Sequence, residues 1–205
     1  TRETLRMADH VRLMLENFWS AFSRGDAELA RRVQKEDDAV DRMNIEIKNY
    51  LSRVGENRNA GDTAWQFTRL AFSAELEAVG DLVDKHLCDA LIKQRREHMG
   101  MVDPDRRAIE EAYRRVLRSL DVAIGLLTTR DIDEARELVR EKHELNEWAR
   151  EQQRRHYERL ASGSAEQLAS SSDFVDAFNA LRRINSHLST IGYAFLPPGE
   201  PTRRR

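Results

Sequence analysis

Cysteine is almost missing from this chain: Cys88 is the single thiol in 205 residues, so no internal disulfide can form and a reducing compartment is expected. Proline (4) and glycine (9) are scarce too, which with 34% charged residues points to long helices with solvated outer faces. No apolar run approaches the roughly 20 residues of a membrane span, and no secretory signal is present. Excess charge of one sign is also lacking. Lys and Arg number 34 against 36 Asp and Glu, a formal net charge of −2, which gives no electrostatic case for nucleic acid as a partner. No window alternates with the period of two that a strand requires. There is no glycine-rich phosphate loop, no nucleophile elbow and no His-Glu-x-x-His. None of His10, His86, His98, His143, His156 and His187 follows an acid by three residues, which argues against a di-iron helical oxidase.

What the chain does have is punctuation between amphipathic stretches. Gly25-Asp26 separates a helix over about 2–24 from one over 26–54, with Asp26 as N-cap. A loop over Glu56–Gly61 precedes a long helix from Asp62 to Met99. Asp103-Pro104 starts a fourth helix that reaches Thr129, and a fifth covers Asp131 to Ala161. Ser170-Ser171-Ser172 leads into a last helix ended by Pro197-Pro198, with residues 197–205 expected to be disordered. Beginning at Thr1 inside a helix, the chain reads as a piece of a longer protein.

The two halves repeat each other. One ungapped shift of 105 residues carries Asp26 onto Asp131, Ala30 onto Ala135, Arg31 onto Arg136, Glu36 onto Glu141, Val11 onto Val116 and Leu76 onto Leu181. Self-similarity of this kind marks a duplicated supersecondary unit. The predicted fold is all-α: two tandem three-helix antiparallel bundles, residues 1–100 and 101–196.

The first copy carries acids beside its packing seams. On the second helix the seam is read as Leu29, Val33, Glu36, Val40, Met43, Ile47, Tyr50 and Val54, with Asp37 and Asp41 alongside. On the third it is read as Phe67, Leu70, Ala74, Glu77, Asp81, Asp84, Cys88 and Leu91. Asp37/Asp41 and Glu77/Asp81 are i,i+4 pairs, so each pair points one way. Carboxylates at a helix interface need a counter-charge. The alternatives are a solvated acidic rim paired with Arg42, Arg69 or Lys85, or a site in which Asp37, Asp41, Glu77 and Asp81 hold a hard or borderline cation such as Mg, Mn, Fe or Zn. The shift of 105 turns those positions into Lys142, Asn146, Arg182 and Ser186, so a metal is expected in the first bundle only. Cys88 reads as a small core residue, and Trp19, Trp65 and Trp148 as packing anchors.

With Asp37-Asp38-Ala39-Val40-Asp41 followed in the next helix by Glu77-Ala78-Val79-Gly80-Asp81, the sequence resembles the PhoU family of regulators of bacterial phosphate uptake. The closing stretch Leu181–Ser189 is similar to the PhoU-like cytosolic domains of bacterial Na/phosphate cotransporter-type proteins. The resemblance implies a non-enzymatic regulator at the cytoplasmic face of the inner membrane. It would contact a membrane transporter domain, in cis or in trans, or a signalling protein, with contact to the membrane surface and a homodimer as further expectations. A free-standing adaptor without metal is the alternative. A metal-dependent enzyme using the four acids to activate water is the weakest reading, because no general base or nucleophile accompanies them.

Overall fold

The computed structural model describes residues 2–54, 60–96, 101–161 and 165–197, with side chains left aside at 53–54, 60–62 and 165–170. The described residues form helices and turns without a strand. α1 spans Arg2–Arg24 and α2 Ala27–Val54; α3, Ala60–Leu82, runs through a π-helical turn at Val83–Cys88 into α4, Asp89–Arg96. α5 spans Asp103–Thr129, α6 Ile132–Ala161 and α7 Ala165–Tyr193. The first unit is therefore α1, α2 and the α3–α4 rod, and the second is α5, α6 and α7.

The duplication is visible in the backbone. At the α1–α2 corner Gly25 has φ 64°, and at the α5–α6 corner Arg130, its counterpart at a shift of 105, has φ 54°. Both helices thus end on a left-handed residue, the conformation that frees the chain to turn. Each corner is followed by an aspartate N-cap. Asp26 Oδ1 accepts from Leu29 N at 2.9 Å, and Asp131 Oδ1 accepts from Asp133 N at 2.7 Å and Glu134 N at 3.1 Å.

Packing explains where the seams fall. The buried line of α2 is Ala30, Val33, Asp37, Val40, Asn44, Ile47 and Leu51, alternating steps of three and four. Its equivalent on α6 runs through Ala135, Leu138, Lys142, Leu145, Ala149, Gln152 and His156, with Lys142 and Gln152 half-buried. The α2 seam read from sequence shared Val33, Val40 and Ile47 but named Glu36 and Tyr50 where the structure buries Asp37 and Leu51; Tyr50 is 61% exposed. α2 packs against both α1 and α3, so its inward arc is wider than one stripe and the deepest line shifts by a residue. Phe67, expected on the α3 seam, is 66% exposed, and Phe72, Leu76, Val79 and Val83 carry the contact instead.

The halves share one hydrophobic core. Trp19 of α1 stacks on Tyr113 of α5 at 4.5 Å between centroids, and Trp65 meets Phe195 edge-on at 6.1 Å, so two of the three expected tryptophan anchors join one unit to the other. Polar contacts reinforce the joint: Lys93 Nζ donates to buried Asp173 at 3.1 Å, and His187 Nδ1 lies 2.7 Å from Glu75 Oε2.

Two features depart from the sequence reading. The serine tract was expected before the last helix, yet Ser171 and Ser172 lie inside α7. The π turn was not anticipated. Its widened backbone leaves Asp84 O to accept from Gln34 Nε2 at 3.3 Å, while the same amide donates to Asp89 Oδ1 at 2.9 Å. The expected tail, apart from Pro197, and the loops at 55–59 and 162–164 lie outside the described residues. No described helix is long and apolar enough to cross a membrane.

Candidate functional site

Asp37 is the acid around which the site is built. It occupies a core position of α2 and is 5% exposed, because the 3-4 alternation places it between Val33 and Val40. Its Oδ1 has no hydrogen-bond partner among the described residues. The facing residue on α3 is Gly80, and a Cβ there would stand 2.6 Å from Asp37 Oδ1 and 3.4 Å from Val40 Cγ1. The missing side chain of Gly80 is what lets the carboxyl reach the helix interface. We expect Gly80→Ala to displace Asp37 and lower stability by about 1–3 kcal/mol, a fall of several degrees in Tm on thermal melting. A Gly80→Ala/Asp37→Ala double variant should lose less than the two single variants together, because the clash partner is then absent.

Electrostatics single out the same residue. Burial pushes the Asp37 carboxyl up to about 7, and the charges of Asp41, Asp81 and Asp84 add to the rise while Lys85 opposes it. Asp84, on the π turn, is itself raised by burial and is partly relieved by its contact with Gln34. The neighbour Glu36 keeps a buried Oε2 without a partner, while its Oε1 accepts from Asn17 Nδ2 at 3.4 Å. Cys88, fully buried in the π turn, has its thiol pushed up by burial and then by Asp84, Asp89 and Glu36, so it is an inert core residue, as expected.

The acids expected from sequence divide unevenly. Asp37 is buried, Glu77 and Asp81 are half-buried and Asp41 is exposed. Asp81 makes a short ion pair with Lys85, one of the cations foreseen for a solvated rim. Among the described residues no three His, Cys, Asp or Glu side chains converge as a closed metal site would. What is present is an orphaned buried carboxyl oxygen on Asp37, with three further acids, Asp41, Asp81 and Asp84, close enough for their charges to act on it. Asp84 was not among the four acids proposed as ligands. Only the seam position in the sequence hinted at it, and in the structure it lies on the π turn, near enough for its charge to act on Asp37.

The second unit holds a polar cluster of another kind. Asp105 in the first turn of α5 is 4% exposed, and its Oδ2 accepts from His156 Nδ1 at 2.9 Å. Its Oδ1 takes a short ion pair from Arg159. His156 Nε2 lies 2.7 Å from Ser171 Oγ, and the ring packs on Phe174 at 4.4 Å between centroids. Three helices are tied together at one end of the bundle.

Comparisons place this geometry among known proteins. A family model described as the PhoU domain matches residues 4–87 and again 109–194, so its two matches start 105 residues apart, the offset of the internal repeat. YjbB of Escherichia coli (strain K12), provisionally named an inorganic phosphate export protein, is 23% identical over 196 residues. That match takes in 95% of this chain but 36% of the relative, so the chain spans about a third of that protein's length. The phosphate-specific transport system accessory protein PhoU of Escherichia coli (strain K12) is 26% identical over 147 residues, 71% of this chain and 59% of the relative. Among solved structures, PhoU from Pseudomonas aeruginosa superposes with a TM-score of 0.87 at 18% identity, over 95% of this chain and 92% of that one. The phosphate transport system regulatory protein PhoU from Streptococcus pneumoniae superposes with 0.85 at 11% identity, over 95% and 90%.

Proposed function

This chain belongs to the PhoU domain family, and from that membership we propose that it is a non-enzymatic regulator of phosphate transport that works by protein contact at the cytoplasmic face of the inner membrane. The observation that carries the reading is the double family match laid over a duplicated fold, together with relatives named for phosphate transport. A free-standing accessory protein is favoured over the Na/phosphate cotransporter domain expected from the closing stretch. What supports this is the match to PhoU of Escherichia coli (strain K12), which is named as an accessory protein of the phosphate-specific transport system. One observation favours a second reading, a regulatory part of a longer phosphate-export protein: the match to 36% of YjbB takes in 95% of this chain.

To the free-standing form, expected from sequence without a metal, we add a proposed cation site: Asp37 holds a divalent or trivalent cation, with Asp41, Asp81 and Asp84 supplying field and further oxygens; Glu77, half-buried on α3, is the remaining acid of the expected set. For Asp81 to join, it must exchange Lys85 for the ion. A cation so placed would neutralise acids on α2 and α3 and tighten that pair of helices.

Deleting the gene in its native host and following radiolabelled phosphate accumulation tests the regulatory role. Altered accumulation at high external phosphate, restored by the wild-type gene, is expected; unchanged accumulation would sink the reading. An immunoblot of the undeleted parent strain separates the two forms: a band near 23.8 kDa marks the free-standing protein, and a much larger membrane-bound band marks the longer one.

A further inference from the structure

The structure answers what the second unit does at the place where the first is acidic. The shift of 105 maps Asp37, Asp41 and Glu77 onto Lys142, Asn146 and Arg182, and of these Asn146 and Arg182 meet across α6 and α7. Lys142, Asn146 and Arg150 follow at i,i+4 on α6, and Asn179 and Arg182 at i,i+3 on α7, so neither run contains an acid.

Arg182 is half-buried and has only neutral partners among the described residues. Its Nε and Nη2 donate to Asn146 Oδ1 at 3.3 and 3.2 Å, and its Nη1 donates to Asn179 Oδ1 at 3.4 Å. Other partly buried cations of this protein meet carboxylates: Arg115 with Glu141 at 2.6 Å, and Lys93 with Asp173 at 3.1 Å. Gln153 Nε2 also donates to Asn179 Oδ1, at 3.0 Å, so both asparagine oxygens are engaged as acceptors and their amide nitrogens remain as donors. Burial holds the Arg182 guanidinium below its usual range, and the charge of Arg150 adds to the effect. A desolvated cation beside a second cation, met among the described residues only by neutral amide oxygens, lacks an anion.

We propose that this face of α6 and α7 binds a small tetrahedral oxyanion of the phosphate class, held by Arg182 with Arg150 and the side-chain amides of Asn146 and Asn179. An anion takes the guanidinium N–H groups now given to the two asparagine oxygens, and the amides turn their Nδ2 donors toward it, so the donors come from two helices. Lys142, one turn before Asn146, has its Nζ 5.6 Å from the Tyr193 ring centroid and extends the positive field. The duplicated fold then offers opposite charges at equivalent places, acidic in the first unit and basic in the second. The proposal does not rest on the transport reading, and its test uses the purified chain alone.

The test is calorimetric titration of chelator-treated protein with inorganic phosphate at constant ionic strength, with sodium acetate in parallel. Saturable one-site binding of phosphate is expected, weakened about tenfold or more in Arg182→Gln, with no saturable response to acetate. Should Arg182→Gln melt lower than wild type, Arg150→Gln, on an exposed position, gives the same reading, and a several-fold loss is expected there too. Three results would each overturn the proposal: no saturable phosphate binding up to about 10 mM, equal responses to phosphate and acetate, or wild-type affinity in both variants.

Discussion

Asp105→Ala is expected to destabilise the fold by about 3–5 kcal/mol, a fall in Tm on the order of 10 °C by calorimetry. The cause is the company Asp105 keeps. It is 4% exposed, and it is the carboxylate to which His156 at 2% exposure and Arg159 both turn. Removing it strands a buried imidazole and loosens α5 from α6. The first unit shows the apolar solution to the same position: Leu51, buried, is the counterpart of His156. Asp105→Ala combined with His156→Leu should therefore recover part of the loss, since apolar replacement of both partners removes the unpaired groups. Arg159, with a side chain 38% exposed, can return to water in that variant. If the single and double variants melt together, the polar network is not what holds that end of the bundle.

Asp37 supplies the second large effect, and it depends on pH. Its carboxyl is ordinarily at 3.8 and lies at about 7 in the fold, so folding favours the protonated form. Below pH 4 both states carry the proton and the group costs nothing. As pH rises from about 4 to 7, the unfolded chain ionises first and the fold loses up to about 4 kcal/mol, fully lost above pH 7. In chelator, Asp37→Asn should match wild type near pH 4 and be the more stable of the two at pH 8, by urea denaturation. A constant difference across that range would contradict the assignment.

Much of this was legible in the residues. The break at Gly25-Asp26, the Asp26 cap, the helix start at Asp131 and the 105-residue offset follow from short-range chemistry, whereas the left-handed Arg130 has no such local signal. The seams were harder, because a helix packed on two sides has a broad apolar arc and several stripes fit it. That is how Glu36 came to be read in place of Asp37, although the i,i+4 pair Asp37/Asp41 was identified as special. The roles of Asp84 and Asp105 were not legible. The first depends on a π turn at Val83–Cys88 and the second on three helix ends meeting, and neither leaves a local pattern. Arg182 was visible as a charge reversal, but that it meets only neutral partners among the described residues shows once α6 and α7 are packed together.

The proposed cation site lies in the first unit, where Asp37 stands, and not in the second, where Lys142 takes its place. Calorimetric titration of Mn²⁺ into wild type and Asp37→Asn at pH 7.5 tests this most directly. Saturable binding with about one ion per chain, lost in Asp37→Asn, is the predicted result, since the carboxylate proposed to hold the ion is then replaced by a neutral amide. Absence of binding to wild type, or equal binding to both proteins, would contradict it.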